Sequence, residues 1–442
     1  MQKKLHFKGV WFLPNSESQY TGLLDFSPDN GARLELLGML GKENQDDHRP
    51  ELILGVTSDG KKITLFKCFR SNRGFHSNGI ETSIYEAIFL FIGGHFLNMD
   101  ELKFSQIDCQ FKSFDFWLSI YGFSRIEYLK ETKEIFVEYK QPLDLVFHLT
   151  EGIECAFQFS TYAPSYSKTS KAIVKQVCEI SLSHNSKSLT GFEELFSMFE
   201  TFEKFLTLSY FGKPIIKKLF LRTKTLSKKN EEYYKTVEIH FQTPSLNGKL
   251  HRRNHSNYFL FTFKIIQENF QEILSNWFNA KTKLEPTING LTEAFSVREQ
   301  LSEFKFLNLA HALETYHQRK EKENRGKASQ TLFQKRLEAL SNLIPPEIKF
   351  LLFKPSEKEF IENIKNSRNY YTHYSEEKEA TALKGSDLFY LSERMKIFLV
   401  CLILKEIGFT DAEVVKTILR KGVFLFNHII KYDEAKKYFQ DW

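Results

Sequence analysis

At 442 residues, 42% of them hydrophobic and 15% aromatic with 44 phenylalanines, the chain is too long for one ordinary core and too apolar to stay disordered. Five scattered cysteines (Cys68, Cys109, Cys155, Cys178 and Cys401) form no C-x-x-C pair, which argues against a disulfide framework or a cysteine-rich zinc site and for a reducing, cytoplasmic setting. The net charge of +6 is mild but uneven: Lys213 to Arg253 holds 11 basic and 3 acidic residues, a local +8, so the remainder sums to about −2.

The opening MQKKLHFKGVWFLP lacks an apolar signal core with a small-residue cleavage site, and no apolar run approaches the ~18 residues of a membrane span. A soluble, unprocessed protein with no membrane partner is expected. From there to about residue 185 the pattern is β. KLHFKGVWFL alternates, while YTGLLDF-SPDNG-ARLELLGML, ELILGV-TSDG-KKITLFKCF and SRIEYLK-ETK-EIFVEYK read as hairpins around turns. IFLFIGGHF, LDLVFHL, CAFQFSTY and IVKQVCEISL supply further strands. This spacing predicts an antiparallel, sandwich or jelly-roll-like domain over residues 1–190. Gly93-Gly94 lacks the trailing Gly-Lys-Ser/Thr of a phosphate loop and reads as a bulge or tight turn.

At Gly191 the period changes: Phe192, Leu195, Phe196, Phe199, Phe202, Phe205 and Leu206 recur at helical spacing. Residues 191–254 are therefore expected to be a helix followed by a basic connecting segment, with IIKKLFLRT and TVEIHFQT as two strand candidates inside it. Its Lys217, Lys218, Arg222, Arg252 and Arg253 are candidates to track an RNA backbone, with Phe220, Tyr233 and Tyr234 as stacking surfaces. A solvated, lysine-rich surface is the equally weighted alternative. HRRNH, His251 to His255, has no acidic or cysteine partner nearby and reads as a loop or helix start, not a metal site.

From 255 to 442 the chain reads as an all-α bundle. Helices are expected near 256–280, 296–320, 329–343, 356–374, 387–407, 411–420 and 423–440, with Pro345-Pro346 and Gly408 as stops. His311 and His317 lie too far apart around a helix to share an ion; Glu314 and His317 share a face, for which an ordinary helix surface is the better reading and a place beside the arginine-bearing helix the alternative. No G-x-S-x-G elbow or H-E-x-x-H zinc helix is present.

The fourth of these helices ends in NSRNYYTHYS, Asn366 to Ser375. Histidine can shuttle a proton near neutral pH, and arginine presents a charged fork that matches phosphate. The two suit cleavage of RNA by its own 2'-hydroxyl, in which a base takes the proton and a cation stabilises the phosphoryl charge. An arginine followed by a histidine after four to six residues is expected about once by chance in such a chain. It occurs twice, and Arg70 to His76 lies between strands without helical context. Requiring Asn369 directly after Arg368 makes the second match far more specific.

With Phe360 at zero and ~100° per residue, Phe360, Ile361, Ile364 and Tyr371 fall between about 0° and 100°, and Glu362, Asn366, Asn369 and His373 between about 180° and 240°. Arg368 falls near 80°, inside the apolar sector, where a charge needs a partner or an edge to reach from. Arg368 and His373 are about 140° apart, so one straight helix does not aim both at one phosphate. Either the helix frays before His373 or a second copy supplies part of the site.

This R-N-x-x-x-H near the end of a helix resembles the HEPN superfamily, whose nuclease members carry an R-x4–6-H motif. The whole chain resembles the ApeA-like group of bacterial antiphage proteins: FKGVWFLPN and YTGLLDF open a β-rich domain, GGHF and FDFWLS come later, and HALETYH precedes SRNYYTHYS. The resemblance implies an α+β multidomain protein whose C-terminal HEPN bundle is a metal-independent endoribonuclease acting in abortive infection, with no cofactor. It places Arg368, Asn369 and His373 at the functional positions and a homodimer around the active site. RNA would be the substrate, transfer RNA by analogy, and the β-rich half would recognise a phage-derived trigger. The alternative is a non-catalytic dimeric module that binds RNA or a nucleotide.

Overall fold

The alternating stretches at the N-terminus become β1 (Leu5–Phe12), β2 (Tyr20–Ser27), β3 (Gly31–Leu37), β4 (Leu52–Thr57), β5 (Lys62–Gly74) and β6 (Thr82–Ile92). The computed structural model describes residues 3–41, 49–74, 81–163, 172–186, 188–226, 232–243, 259–295, 302–325 and 332–420. The chain divides into two units. The first comprises Met1–Asp115, Ile120–Glu200 and Ile215–His251, and the second Phe116–Ser119, Thr201–Pro214 and Arg252–Trp442.

In the first unit the six strands run in the order β6-β3-β2-β1-β4-β5, and β5 pairs back onto β6. All pairings are antiparallel. The antiparallel β-rich expectation thus takes the form of a closed barrel, which buries the edges that a stacked sandwich leaves open. Trp11, Leu24, Leu34, Ile53, Ile63, Leu65 and Tyr85 fill it. A Cβ on Gly55 would lie 2.2 Å from the Trp11 ring and one on Gly22 3.2 Å from it, so both glycines make room for the indole. His95, of GGHF, shares a 2.8 Å hydrogen bond through Nε2 with the Gly55 carbonyl. Gly93 has φ 110°, in keeping with a tight turn at the end of β6.

The chain continues through β7 (Lys103–Phe104), β8 (Gln106–Phe111), α1 (Phe114–Leu118), β9 (Phe123–Leu129), β10 (Glu134–Tyr139), β11 (Leu145–His148), β12 (Ile153–Tyr162), β13 (Lys175–His184) and β14 (Thr190–Gly191). Then follow α2 (Phe192–Tyr210), β15 (Ile216–Leu226) and β16 (Glu232–Phe241). Beyond β6 the sheet extends as β16-β15-β8-β13-β12-β11, while β9 and β10 form a separate ribbon. The segment expected as a basic connection therefore supplies two strands in the middle of the sheet, with Leu219, Leu221, Val237 and Ile239 buried from alternate positions. Phe192, Phe196 and Phe199 of α2 pack edge-on or stacked against Phe66, Phe89, Phe91, Phe111 and Phe241. This aromatic layer uses eight of the 44 phenylalanines.

The second unit holds α3 (Phe263–Ile266), α4 (Phe270–Ala294), α5 (Ser302–Arg325), α6 (Phe333–Ser341), α7 (Pro346–Leu352), α8 (Glu357–His373), α9 (Glu376–Glu379), α10 (Gly385–Glu406) and α11 (Asp411–Arg420). Helix α5 packs against α4, α6, α8 and α10. Trp117 donates to the Phe261 carbonyl at 3.0 Å and Trp277 to that of Thr201 at 2.8 Å. The helix expected at 256–280 begins only at Phe270 and runs on to Ala294 past Pro286. A bend at Leu284 (φ −117°, ψ 24°) absorbs the hydrogen bond that the proline cannot donate. Pro345-Pro346, expected as a stop, is also a start, since Pro346 opens α7 where a helix needs no N–H donor. The helix expected at 423–440 lies outside the described residues. Among the described residues no helix is long and apolar enough to cross a membrane.

Candidate active site

Helix α8 is built to hold its own ends. The Ser356 hydroxyl caps it by accepting from the Glu359 N–H at 3.2 Å, and Glu357 and Glu359 meet the positive end of the dipole. His373 closes the last turn, where a cation is favoured. Phe360, Ile361, Ile364, Ser367 and Tyr371 face the interior, in agreement with the helical periodicity. The return segment after α9 is pinned to this face: the Leu383 N–H donates to Ser367 Oγ at 3.0 Å, and the Tyr371 hydroxyl donates to the Leu383 carbonyl at 2.9 Å. Burial, with Glu303 nearby, pushes the Tyr371 phenol up to about 12.

Arg368 lies on the inner side, as its angular position predicts, and meets two other helices there. Its Nη2 donates to Glu314 Oε2 of α5 at 3.4 Å, and its guanidinium lies 5.3 Å from the centre of the Phe333 ring of α6. Its Nη1 reaches Asn369 Oδ1 at 3.5 Å, the long limit of a hydrogen bond. Its Nε is buried without a hydrogen-bond partner among the described residues. Arg368 is thus oriented by charge and by an aromatic face, with part of its fork unused.

His373 is exposed at the helix end and forms no hydrogen bond or ion pair with Arg368 among the described residues. Thr372 beside it donates its hydroxyl to the Arg368 carbonyl at 2.6 Å. Asn369 is partly buried next to Arg368. The structure therefore brings Arg368, Asn369, Glu314 and Phe333 together and leaves His373 facing solvent. Glu314, expected as ordinary surface, instead partners the arginine. His317 is buried, its Nδ1 3.4 Å from Glu321, and His311 is exposed.

The remaining candidates are placed differently. Lys217 and Lys218 are exposed on β15 where a bulge interrupts its register with β8. Arg222 is held by two carboxylates, Asp108 at 2.9 Å and Glu179 at 2.7 Å. Burial pushes the Asp108 carboxyl up, against the pull of Arg222. Arg252, Arg253, His251 and His255 lie outside the described residues, as do His76 and the side chain of Tyr233. A polar cleft of about 260 Å³ in the second unit, lined by Glu203, Lys204, Lys213 and Asn289 among others, contains none of the motif residues.

Phe333 and Tyr374 had not been singled out from sequence. Phe333 is invisible without knowing that α6 crosses α8. Tyr374 gives a weak signal, a helix end with no glycine to close it.

A family model described as ApeA N-terminal domain 1 matches residues 6–277, more than half of the chain. A second, described as Apea-like HEPN, matches residues 307–413, which takes in Glu314, Phe333, Arg368, Asn369 and His373. No curated protein and no solved structure matches the chain.

Proposed function

The chain belongs to the ApeA family, with an ApeA-like HEPN domain that supports a nuclease-type antiphage role in general, and from that premise we propose that it is an endoribonuclease. In this reading His373 moves the proton of the 2'-hydroxyl or of the leaving oxygen, Arg368 stabilises charge on the phosphoryl oxygens, and Asn369 orients the arginine. The reaction needs no metal, ends in abortive infection, and takes transfer RNA as its first candidate substrate by analogy with the fold. The β-rich half is the sensor for a phage-derived trigger.

The observation that carries the reading is the placement of Arg368. A charge on the inner face of α8 is fixed by Glu314 and Phe333 one residue before Asn369 and five before an exposed histidine. Lys217 and Lys218 are the described basic candidates free to meet an RNA backbone, because Arg222 is engaged by carboxylates.

The test is incubation of the purified protein with RNA in EDTA, alone and with infected-cell lysate. Fragments with cyclic-phosphate or 3'-phosphate ends are expected. Arg368→Ala and His373→Ala are each expected to lose at least about 100-fold in cleavage rate with melting temperature unchanged. Full cleavage by His373→Ala would overturn the assignment. RNA bound but left intact under every condition would favour the non-catalytic binding module.

A further inference from the structure

Tyr374 directly follows His373 and closes α8 with φ 49° and ψ 37°. This is the left-handed region, where a Cβ crowds the backbone, and helices usually place glycine or asparagine there. A tyrosine at this position makes the helix end less stable than it need be, and strain of this kind collects at working sites. The residue is nonetheless 60% exposed.

The ring is also held. It lies 5.5 Å from Tyr370 at 64° and 6.1 Å from Tyr371 at 84°, both edge-to-face. Tyr371 is itself buried and tied to the Leu383 carbonyl. The phenol is therefore braced at the helix end, beside the exposed histidine, with aromatic surface left for another ring.

The charges around it indicate what that ring belongs to. Glu376, Glu377 and Glu379 of α9 follow at once and are exposed, and Glu379 is joined by Lys384. Exposed Lys378 stands among them and Lys384, paired with Glu379, lies 5.5 Å from the Tyr370 ring, so the local charge is only slightly negative, and the exposed Tyr374 ring suits the uncharged base of a nucleotide better than its phosphate.

We propose that Tyr374 is the stacking platform for a nucleobase of unpaired RNA next to the phosphate at His373. The inference rests on the reading of His373 given above. A base inside a duplex has both faces covered by its neighbours, so a platform of this kind selects loops and single strands. Tyr374 is then a specificity-determining residue, while the proton is moved by His373.

The test uses full-length protein and a fluorescent, mixed-sequence 2'-O-methyl oligoribonucleotide, which binds without being cut because its attacking hydroxyl is blocked. Tyr374→Gly removes the ring but relaxes the backbone, so its melting temperature is expected to equal or exceed that of wild type. It is expected to weaken binding of the unpaired probe about tenfold and to leave binding of its duplex unchanged. Tyr374→Phe is expected to bind like wild type, and Tyr374→Trp to bind at least as tightly with quenching of its indole fluorescence.

Equal affinity of wild type and Tyr374→Gly for the unpaired probe would overturn the proposal, as would failure of wild type to bind it. His373→Ala in the cleavage assay separates the two levels. If it is inactive while Tyr374→Gly binds normally, only the platform fails; if it cleaves normally, the site reading and the platform fail together.

Discussion

Glu314 and Arg368 face each other with side chains 21% and 24% exposed, covered enough for their attraction to escape most solvent screening. Glu314→Gln keeps the size and one acceptor oxygen but removes the charge. It is expected to cost about 1 kcal/mol in holding the guanidinium against Phe333. Losing that much transition-state stabilisation lowers kcat about fivefold and changes KM little. Steady-state cleavage kinetics beside a melting curve check this, and an unchanged kcat would show that Phe333 alone places Arg368. The inward position of Arg368 was readable because 100° steps along one helix are a local property. Its partners were not, since Glu314 lies 54 residues away and only the packing of α5 on α8 brings it near.

Helix α10 carries Glu393, 4% exposed, between Lys305 of α5 and Lys396 one turn further on. Lys396 also lies 5.1 Å from the ring centre of Phe211 and 5.5 Å from that of Phe295. Burial alone would push the Glu393 carboxyl up, but the ammonium groups of Lys396 and Lys305 outweigh it and hold the carboxyl at about 2, below its ordinary 4.5. A depressed value means that the folded state favours the charged form. The contribution is complete above about pH 4.5, declines as pH falls, and is lost by about pH 2. Glu393→Gln strands two buried ammonium groups and is expected to lower unfolding free energy by about 3–5 kcal/mol at pH 7. The gap from wild type should close between pH 4.5 and 2 in urea titrations, and a gap independent of pH would contradict it.

The same scale shows where element boundaries were and were not legible. Helices α8 and α11 stand within a residue or so of expectation because caps and apolar period agree there. The expectation ends this helix at 280, whereas α4 runs on to Ala294 because packing along the helix tolerates the bend before Pro286. Barrel closure was hidden for a different reason: alternation reports which face of a strand is buried, but not that β6 takes β5 on one side and both β3 and β16 on the other.

For the whole molecule, the question is how many chains make one site. Helical geometry sets Arg368 and His373 about 140° apart. Among the described residues each chain holds its arginine inward and its histidine outward. If the proposed homodimer is related by a two-fold axis, the arginine of one chain can serve the histidine of the other. Arg368→Ala and His373→Ala proteins, each inactive alone, then complement when their subunits are exchanged. Half of the resulting dimers are mixed, and each mixed dimer has one intact composite site of two, so about one quarter of wild-type cleavage is expected to return. A site complete within one chain gives no recovery, because every chain in the mixture lacks one of the two groups.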